Sequence, residues 1–163
     1  MRENAKLLAK NFKQQEENEK RWKESTNKTF ELLINIITDI RDMLGGCFEY
    51  YSARVVKSLM KERGIECDIR VNVTLPVDGY KEVDIFFSDP LIVGKVAIRL
   101  RSIEEAINHL EKLSSAVKAA EKFTNKKVYL KVLSVEFTNE EVANYLKKKC
   151  KEEGIYLILG REY

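Results

Sequence analysis

The stretch that decides the fold is Lys81-Glu82-Val83-Asp84-Ile85-Phe86-Phe87, which is followed after a short turn by Gly94-Lys95-Val96-Ala97-Ile98-Arg99-Leu100. Both runs are rich in β-branched and aromatic residues, which favour strands. The intervening Ser88-Asp89-Pro90 is typical of a turn. We therefore predict two adjacent strands, the first of which carries an acidic residue between apolar neighbours.

The segments around this hairpin alternate between strand-like and helix-like patterns. Strands are predicted for Cys67–Leu75, Tyr80–Phe87, Leu91–Arg101, Val128–Phe137 and Ile155–Leu159. Ser102 with Glu105, and Thr138 with Glu141, have the spacing of capping boxes that start two helices, and Gly154 ends the second of them. A further helix precedes the first strand. The order predicts an α/β fold, with a mixed sheet of about five strands flanked by helices.

Residues 1–44 form a separate region that contains no Gly or Pro. Its seam residues follow alternating steps of four and three, and they are Trp22, Thr26, Thr29, Leu33, Ile36, Ile40 and Met43. This heptad-like stripe predicts a long helix, which Gly45-Gly46 is expected to end. Two interpretations remain open: a projecting coiled coil that joins copies of the chain, and a helix folded back onto the core. We divide the chain into an oligomerising helix over 1–44 and a second domain over 45–163.

Composition bounds what the chain can do. With 163 residues it is one domain, or one domain plus an appendage. Its 29 basic and 26 acidic residues leave a net charge of +3, so any nucleic-acid surface must come from local clustering. Three widely spaced cysteines and one histidine support neither a zinc site nor a disulfide framework. From the cysteine pattern we expect a reducing, cytoplasmic location. No membrane association is expected, because no uncharged apolar run approaches spanning length.

The order of elements and the residues at their ends resemble the restriction-endonuclease-like, PD-(D/E)XK nuclease superfamily. More closely, the chain is similar to archaeal and bacterial members that follow an N-terminal coiled coil. The resemblance covers residues 45–160. The matching runs are Leu44-Gly45-Gly46-Cys47-Phe48-Glu49-Tyr50, Glu82-Val83-Asp84-Ile85, Lys127-Val128-Tyr129-Leu130-Lys131-Val132 and Glu153-Gly154-Ile155.

The resemblance implies a site at the sheet. It implies that Glu49 and Asp84, with Glu82 nearby, bind Mg²⁺ or Mn²⁺, and that the third strand supplies a further acidic ligand and a lysine. At those third-strand positions this chain has Ala97 and Arg99. The Glu-x-Lys motif is therefore degenerate, and no cofactor is expected unless the site is active.

The chemistry of Ala97 and Arg99 also argues against hydrolysis. Hydrolysis of a phosphodiester needs a divalent cation held by several oxygen ligands, and Ala97 offers none. Arg99 stays protonated and cannot act as a base. If the faces of the two strands coincide, Arg99 is placed to pair with Asp84 and Glu49, which puts a fixed cation where a metal would sit. The alternative is that Glu82 and Asp84 are solvent-facing residues of an edge strand.

Three functions follow from this reading. The first is a pseudoenzyme that binds nucleic acid, DNA rather than RNA, through Arg99, Arg101, Lys118 and Lys122 as a coiled-coil oligomer. The second is an active divalent-metal-dependent DNA nuclease that uses Glu49, Asp84 and Glu82. The third is a protein-interaction module in which the coiled coil is the working part. An alternative for the lysines is a solvated helix surface.

Overall fold

The computed structural model describes the backbone of residues 2–162 and the side chains of residues 11–40, 43 and 46–160. The elements follow the predicted order, except that the two helices predicted before the first strand form one. They are α1 (Arg2–Glu62), β1 (Arg70–Leu75), β2 (Lys81–Ser88), β3 (Leu91–Leu100), α2 (Ile103–Thr124), β4 (Leu130–Thr138), α3 (Glu140–Glu153) and β5 (Ile155–Glu162).

The five strands form one mixed sheet in the order β1-β2-β3-β4-β5. The pairs β1–β2 and β2–β3 are antiparallel, whereas β3–β4 and β4–β5 are parallel. The larger core cluster joins the sheet to α2 and α3 through residues such as Val93 and Leu113. The smaller cluster joins the sheet to the C-terminal part of α1 through Val56 and Met60. The predicted mixed α/β sheet flanked by helices is confirmed.

The predicted end of the first helix at Gly45-Gly46 is wrong, because α1 runs without a break from Arg2 to Glu62. Each glycine inside a helix costs about 1 kcal/mol relative to alanine, which the surrounding helical turns offset. The chain nevertheless divides into two compact units, Met1–Asp42 and Met43–Tyr163. Among residues 2–162, no helix combines the length and apolar character needed to cross a membrane.

The helix caps agree with the sequence at one helix and differ at the other. Ser102 caps α2, and its side chain accepts a hydrogen bond from the Glu105 amide as predicted. The cap of α3 is Asn139 rather than Thr138, because Thr138 is still the last residue of β4 and is fully buried. The Asn139 side chain accepts from the Val142 amide and also donates to the carbonyl of Arg101. One asparagine therefore starts α3 and ties it to the end of β3.

Candidate functional site

The Asp84 carboxylate lies where the ladder between β2 and β3 stops. The paired residues run from Ser88↔Leu91 to Ile85↔Gly94, and this register places Asp84 opposite Lys95. Asp84 Oδ2 accepts from the Val96 amide at 2.7 Å, and Asp84 Oδ1 accepts from Lys95 Nζ at 2.6 Å. The two side chains are only 11% and 14% exposed, so this ion pair is largely withdrawn from water. Both carboxylate oxygens thus have donors from β3.

Asn72 and Glu49 extend this cluster across β1 to α1. The pairs Val71↔Ile85 and Val73↔Val83 place Asn72 opposite Asp84 on the neighbouring strand. Asn72 has φ 53°, a left-handed conformation that asparagine adopts more readily than most residues. Its side-chain amide donates to Glu49 Oε2. A local distortion of β1 thereby joins a helix carboxylate to the strand that flanks Asp84.

Burial and neighbouring charges act on Glu49. Burial, followed by the repulsion of the Asp84 carboxylate, raises the pKa of Glu49 above its ordinary value, while the Asn72 hydrogen bond and Lys95 oppose that shift. The influence of both Asp84 and Lys95 on Glu49 shows that the three charged groups share one electrostatic environment. We define Glu49, Asn72, Asp84 and Lys95 as the carboxylate–lysine cluster.

The cation beside Asp84 is therefore Lys95, and the prediction that Arg99 lies there is wrong. The Arg99 guanidinium carbon lies 5.4 Å from the centre of the Phe137 ring on β4, its Cα partner in the parallel ladder. Ala97 is buried in the core cluster with α2. Glu82 is exposed and pairs with Thr74 at the β1 side of the sheet. Glu49 and Asp84 come together as expected, whereas their positively charged partner comes from a residue that was not singled out.

His109 is a further neighbour that the sequence did not assign to the site. Burial lowers its pKa, with Lys112 and Lys95 acting in the same direction and Asp84 opposing them. Its Nδ1 atom is buried and has no hydrogen-bond partner in the part of the chain that the structure describes. Burial and the two lysines therefore favour the neutral form of this imidazole. The sequence signal that could have identified it is its place on the core-facing side of α2.

The four predicted nucleic-acid contacts do not gather at one place. Arg99 and Arg101 lie just before the N-terminus of α2, whereas Lys118 and Lys122 lie in its C-terminal half. At 1.5 Å per helical residue, the two pairs are separated by roughly 25–30 Å along the axis. All four residues are exposed, and Lys122 Nζ contacts Asp78 Oδ1 at 2.6 Å. The prediction therefore becomes two small cationic regions instead of one patch.

The described side chains around Asp84 offer few ligands for a metal ion. Among the described side chains, no group of three or more His, Cys, Asp or Glu residues is arranged to hold a metal. Hard cations such as Mg²⁺ prefer several oxygen ligands, and a cation at Asp84 would first have to displace the Lys95 ammonium group. The arrangement stabilises a carboxylate without providing a coordination sphere.

A comparison with known families places three of the four cluster residues inside a recognised domain. The model of a family described as a domain of unknown function, DUF8196, matches residues 51–162. Asn72, Asp84 and Lys95 lie within the match, and Glu49 lies two residues before it. No curated protein and no solved structure matches the chain. Since the matched region makes up most of the chain, the protein belongs to the DUF8196 family.

Proposed function

We propose that this member of the DUF8196 family is a nuclease-like domain that no longer hydrolyses phosphodiesters and binds nucleic acid, DNA rather than RNA, as an oligomer. The observation that carries the proposal is the Asp84 carboxylate, which Lys95 Nζ contacts at 2.6 Å and the Val96 amide at 2.7 Å. The order helix, three antiparallel strands, helix and parallel strand supports a restriction-endonuclease-like core.

The Lys95 ammonium group lies where a metal ion would bind Asp84, but it cannot supply the chemistry of a metal ion. A divalent cation in a nuclease polarises the phosphate and generates hydroxide, and both roles need open coordination sites. The Lys95 ammonium group neutralises Asp84 instead and offers no exchangeable water. On β3, Ala97 provides no oxygen ligand, and Arg99 lies over an aromatic ring. Losing one electrostatic stabiliser of a transition state costs roughly 2.7–4 kcal/mol, so combined losses leave little rate enhancement.

Nucleic-acid binding is supported by the exposed cations at the two ends of α2. Arg99 and Arg101 form one region, and Lys118 and Lys122 form the other. Each region alone makes few phosphate contacts, and each contact is weakened by salt. Joining several copies of the chain raises the effective concentration of the second and later contacts, so weak regions gain affinity by avidity.

The proposal is tested with purified full-length protein and with single-stranded, double-stranded and branched DNA. Cleavage and gel shift are read in parallel, once with Mn²⁺ and once with EDTA. We expect a shift that persists in EDTA, weakens strongly between 50 and 200 mM salt and is accompanied by no cleavage. Single-stranded RNA of the same length serves as the competitor that tests the preference for DNA.

Two double variants locate the binding surface. Arg99→Ala/Arg101→Ala and Lys118→Ala/Lys122→Ala are each expected to weaken the shift and reduce its dependence on salt. The matched control is Lys57→Ala/Lys61→Ala, which removes two exposed lysines from α1. Equal weakening by the control would contradict an assignment to the ends of α2.

Two other results would replace the proposal. Metal-dependent cleavage that disappears in Asp84→Ala would make the chain an active nuclease that uses Glu49, Glu82 and Asp84. Absence of any shift, together with a stable oligomer, would make it a protein-interaction module. Cleavage, gel shift and oligomer mass are measured separately, so each of the three candidate functions predicts a different combination of results.

A further inference from the structure

The N-terminal unit exposes an apolar surface that is large for a single helix. Its large apolar side chains between residues 30 and 40 are all exposed, and they are Phe30, Leu32, Leu33, Ile34, Ile36, Ile37 and Ile40. Each of them is 44–65% exposed, and neighbouring exposed apolar side chains of this size mark an interaction site.

The spacing of these residues identifies what covers them. The heptad positions a and d hold Thr26, Thr29, Leu33, Ile36 and Ile40, which recur at steps of three and four along α1. A seam with this period packs against a second helix of the same period, so its natural partner is another copy of itself. A folded globular partner does not require the strict alternation of three and four.

The width of the apolar surface sets the number of copies. Phe30 and Ile37 occupy the e positions beside the seam, and Leu32 occupies a g position. Two-stranded coiled coils bury chiefly a and d and keep e and g charged, whereas bundles of three or four helices bury more of each helix. Leu33 at a followed by Ile36 at d is also a combination that favours trimers and tetramers over dimers.

Thr29 at the seam is compatible with burial. The Thr29 hydroxyl donates to the carbonyl of Ser25 at 3.0 Å within the helix. The hydroxyl is therefore satisfied before association, which leaves the methyl group available for apolar contact. Burial of Thr29 in a bundle leaves no unpaired polar group.

We propose that residues 22–40 of three or four copies of this chain form a parallel helical bundle. The parallel arrangement follows from the seam itself, because Gln15 and Glu19 precede the apolar part. In-register parallel helices place polar layers against polar layers and apolar layers against apolar layers along the whole unit. The inference rests on the oligomer in the proposed function, and it names the segment, the orientation and the number of helices.

The first test is the mass of the full-length protein in solution by sedimentation equilibrium, in EDTA and without nucleic acid. We expect three or four times the chain mass of 19.0 kDa. A dimeric or monomeric mass at micromolar concentration would overturn the proposal. The result is independent of DNA binding, so failure here and failure of the nucleic-acid proposal are distinguishable.

A pair of variants separates the seam from the rest of the helix surface. Leu33→Lys/Ile36→Lys places charges at a and d and is expected to give monomers, with at least a tenfold weaker association. Ile34→Lys is the matched control, because Ile34 is 61% exposed but occupies a b position away from the seam. It is expected to keep the wild-type mass. Loss of the oligomer in both variants, or in neither, would contradict the heptad assignment.

Orientation is tested by cross-linking a cysteine introduced at Ser25 in a Cys47→Ser background. In a parallel bundle the Ser25→Cys thiols lie in one layer, within reach of a linker of about 10 Å. In an antiparallel bundle of residues 22–40, centred on Glu31, they lie roughly 18 Å apart, from 6 residues of rise on each side. Efficient linking with the short reagent is expected, and linking only by a reagent of about 20 Å would overturn the parallel arrangement.

Discussion

Folded chains ordinarily bury apolar side chains and expose charged ones, and two regions of this molecule depart from that distribution in opposite directions. They are residues 22–40 of α1 and the hairpin of β2 and β3. The helix exposes large apolar groups, whereas the hairpin withdraws a charged pair from water. The hairpin compensates its departure within the chain, because both Asp84 oxygens receive donors from β3. In the proposed bundle, the helix finds its apolar partners in other copies of the chain. The stability of the hairpin is therefore a property of one chain, whereas that of residues 22–40 is expected to depend on concentration.

Two natural reporters allow the regions to be followed separately. Trp22, the only tryptophan in the sequence, lies in the N-terminal unit, so its fluorescence follows that unit. Cys67 and Cys150 are buried in the second unit, and burial raises the pKa of Cys150 to about 11. Their protection from thiol reagents therefore reports whether the second unit is folded.

The largest expected effect comes from Asp84→Ala. Removing the carboxylate leaves the Lys95 ammonium group and the Val96 amide without their partner, at a cost of roughly 3–5 kcal/mol. Urea unfolding followed by Cys67 and Cys150 labelling measures the loss, while Trp22 fluorescence is expected to change little.

Asp78→Ala is the control for that variant, because Asp78 and Lys122 make an ion pair of the same 2.6 Å length but are 67% and 64% exposed. Exposed pairs contribute about 0–1 kcal/mol. A gain in stability in Asp84→Ala would indicate that Asp84 is an unpaired carboxylate of the kind that binds a metal. The hairpin would then not compensate its buried charge within the chain.

Substitution of two glycines is expected to have opposite effects. A Cβ on Gly94 would lie 3.0 Å from Ile85 Cβ and 3.1 Å from Val132 Cβ, so Gly94→Ala overpacks the sheet and destabilises by about 1–3 kcal/mol. A Cβ on Gly46 meets no atom of the described structure within 4 Å. Gly46→Ala is therefore expected to stabilise α1 by about 1 kcal/mol through helix propensity. Calorimetric melting of both variants checks the sign, and two changes of the same sign would refute the packing argument.

Dilution is expected to affect only the helix. Each tenfold dilution changes the free energy of association by about 1.4 kcal/mol for each partner lost. The melting of residues 22–40, followed by Trp22 fluorescence and helical circular dichroism, should therefore shift to lower temperature on dilution. Labelling of Cys67 and Cys150 at a fixed temperature should not change. Equal sensitivity of both signals would show that the two units unfold together.

The smallest effect concerns the pH dependence of Glu49. Because its pKa is raised in the folded state, chiefly by burial, the folded protein holds this proton more tightly than the unfolded chain does. The associated stability is present below pH 4.5, the ordinary value, and is lost as the pH rises through the folded-state pKa. Glu49→Gln should remove this decline and give a small gain in stability at pH 7. Urea titrations between pH 4 and 7 measure it, and a loss at pH 7 would contradict the sign.

The sequence predicted most of the fold because its periodicities are local. Alternation and turn residues placed each strand to within a few residues, and Ser102 and Gly154 were identified as cap residues from the sequence alone. The same local reasoning failed at Asn139, since Thr138 and Asn139 are both good caps and only the end of β4 decides between them. It failed again at Gly45-Gly46, where the helical turns on both sides outweigh two weak residues.

The site was only partly predictable. Glu49 and Asp84 were identified, but their cation was assigned to Arg99 by counting alternate residues along a regular strand. The ladder stops at Ile85↔Gly94, and Asp84 then bonds the backbone of the next strand, which brings Lys95 to the carboxylate. No periodicity in the chain marks the residue at which two strands cease to pair.

By itself the sequence determined what depends on neighbours a few residues apart: the order of the elements, the positions of the strands, the caps Ser102 and Gly154, and the heptad-like spacing in α1. Hydrogen bonding within a turn and burial of one face of an element are encoded over such distances. The tertiary structure decided what depends on register between segments that are distant in the chain. The partner of Asp84, and the left-handed Asn72 with its bond to Glu49, follow from how the strands align once the sheet has formed.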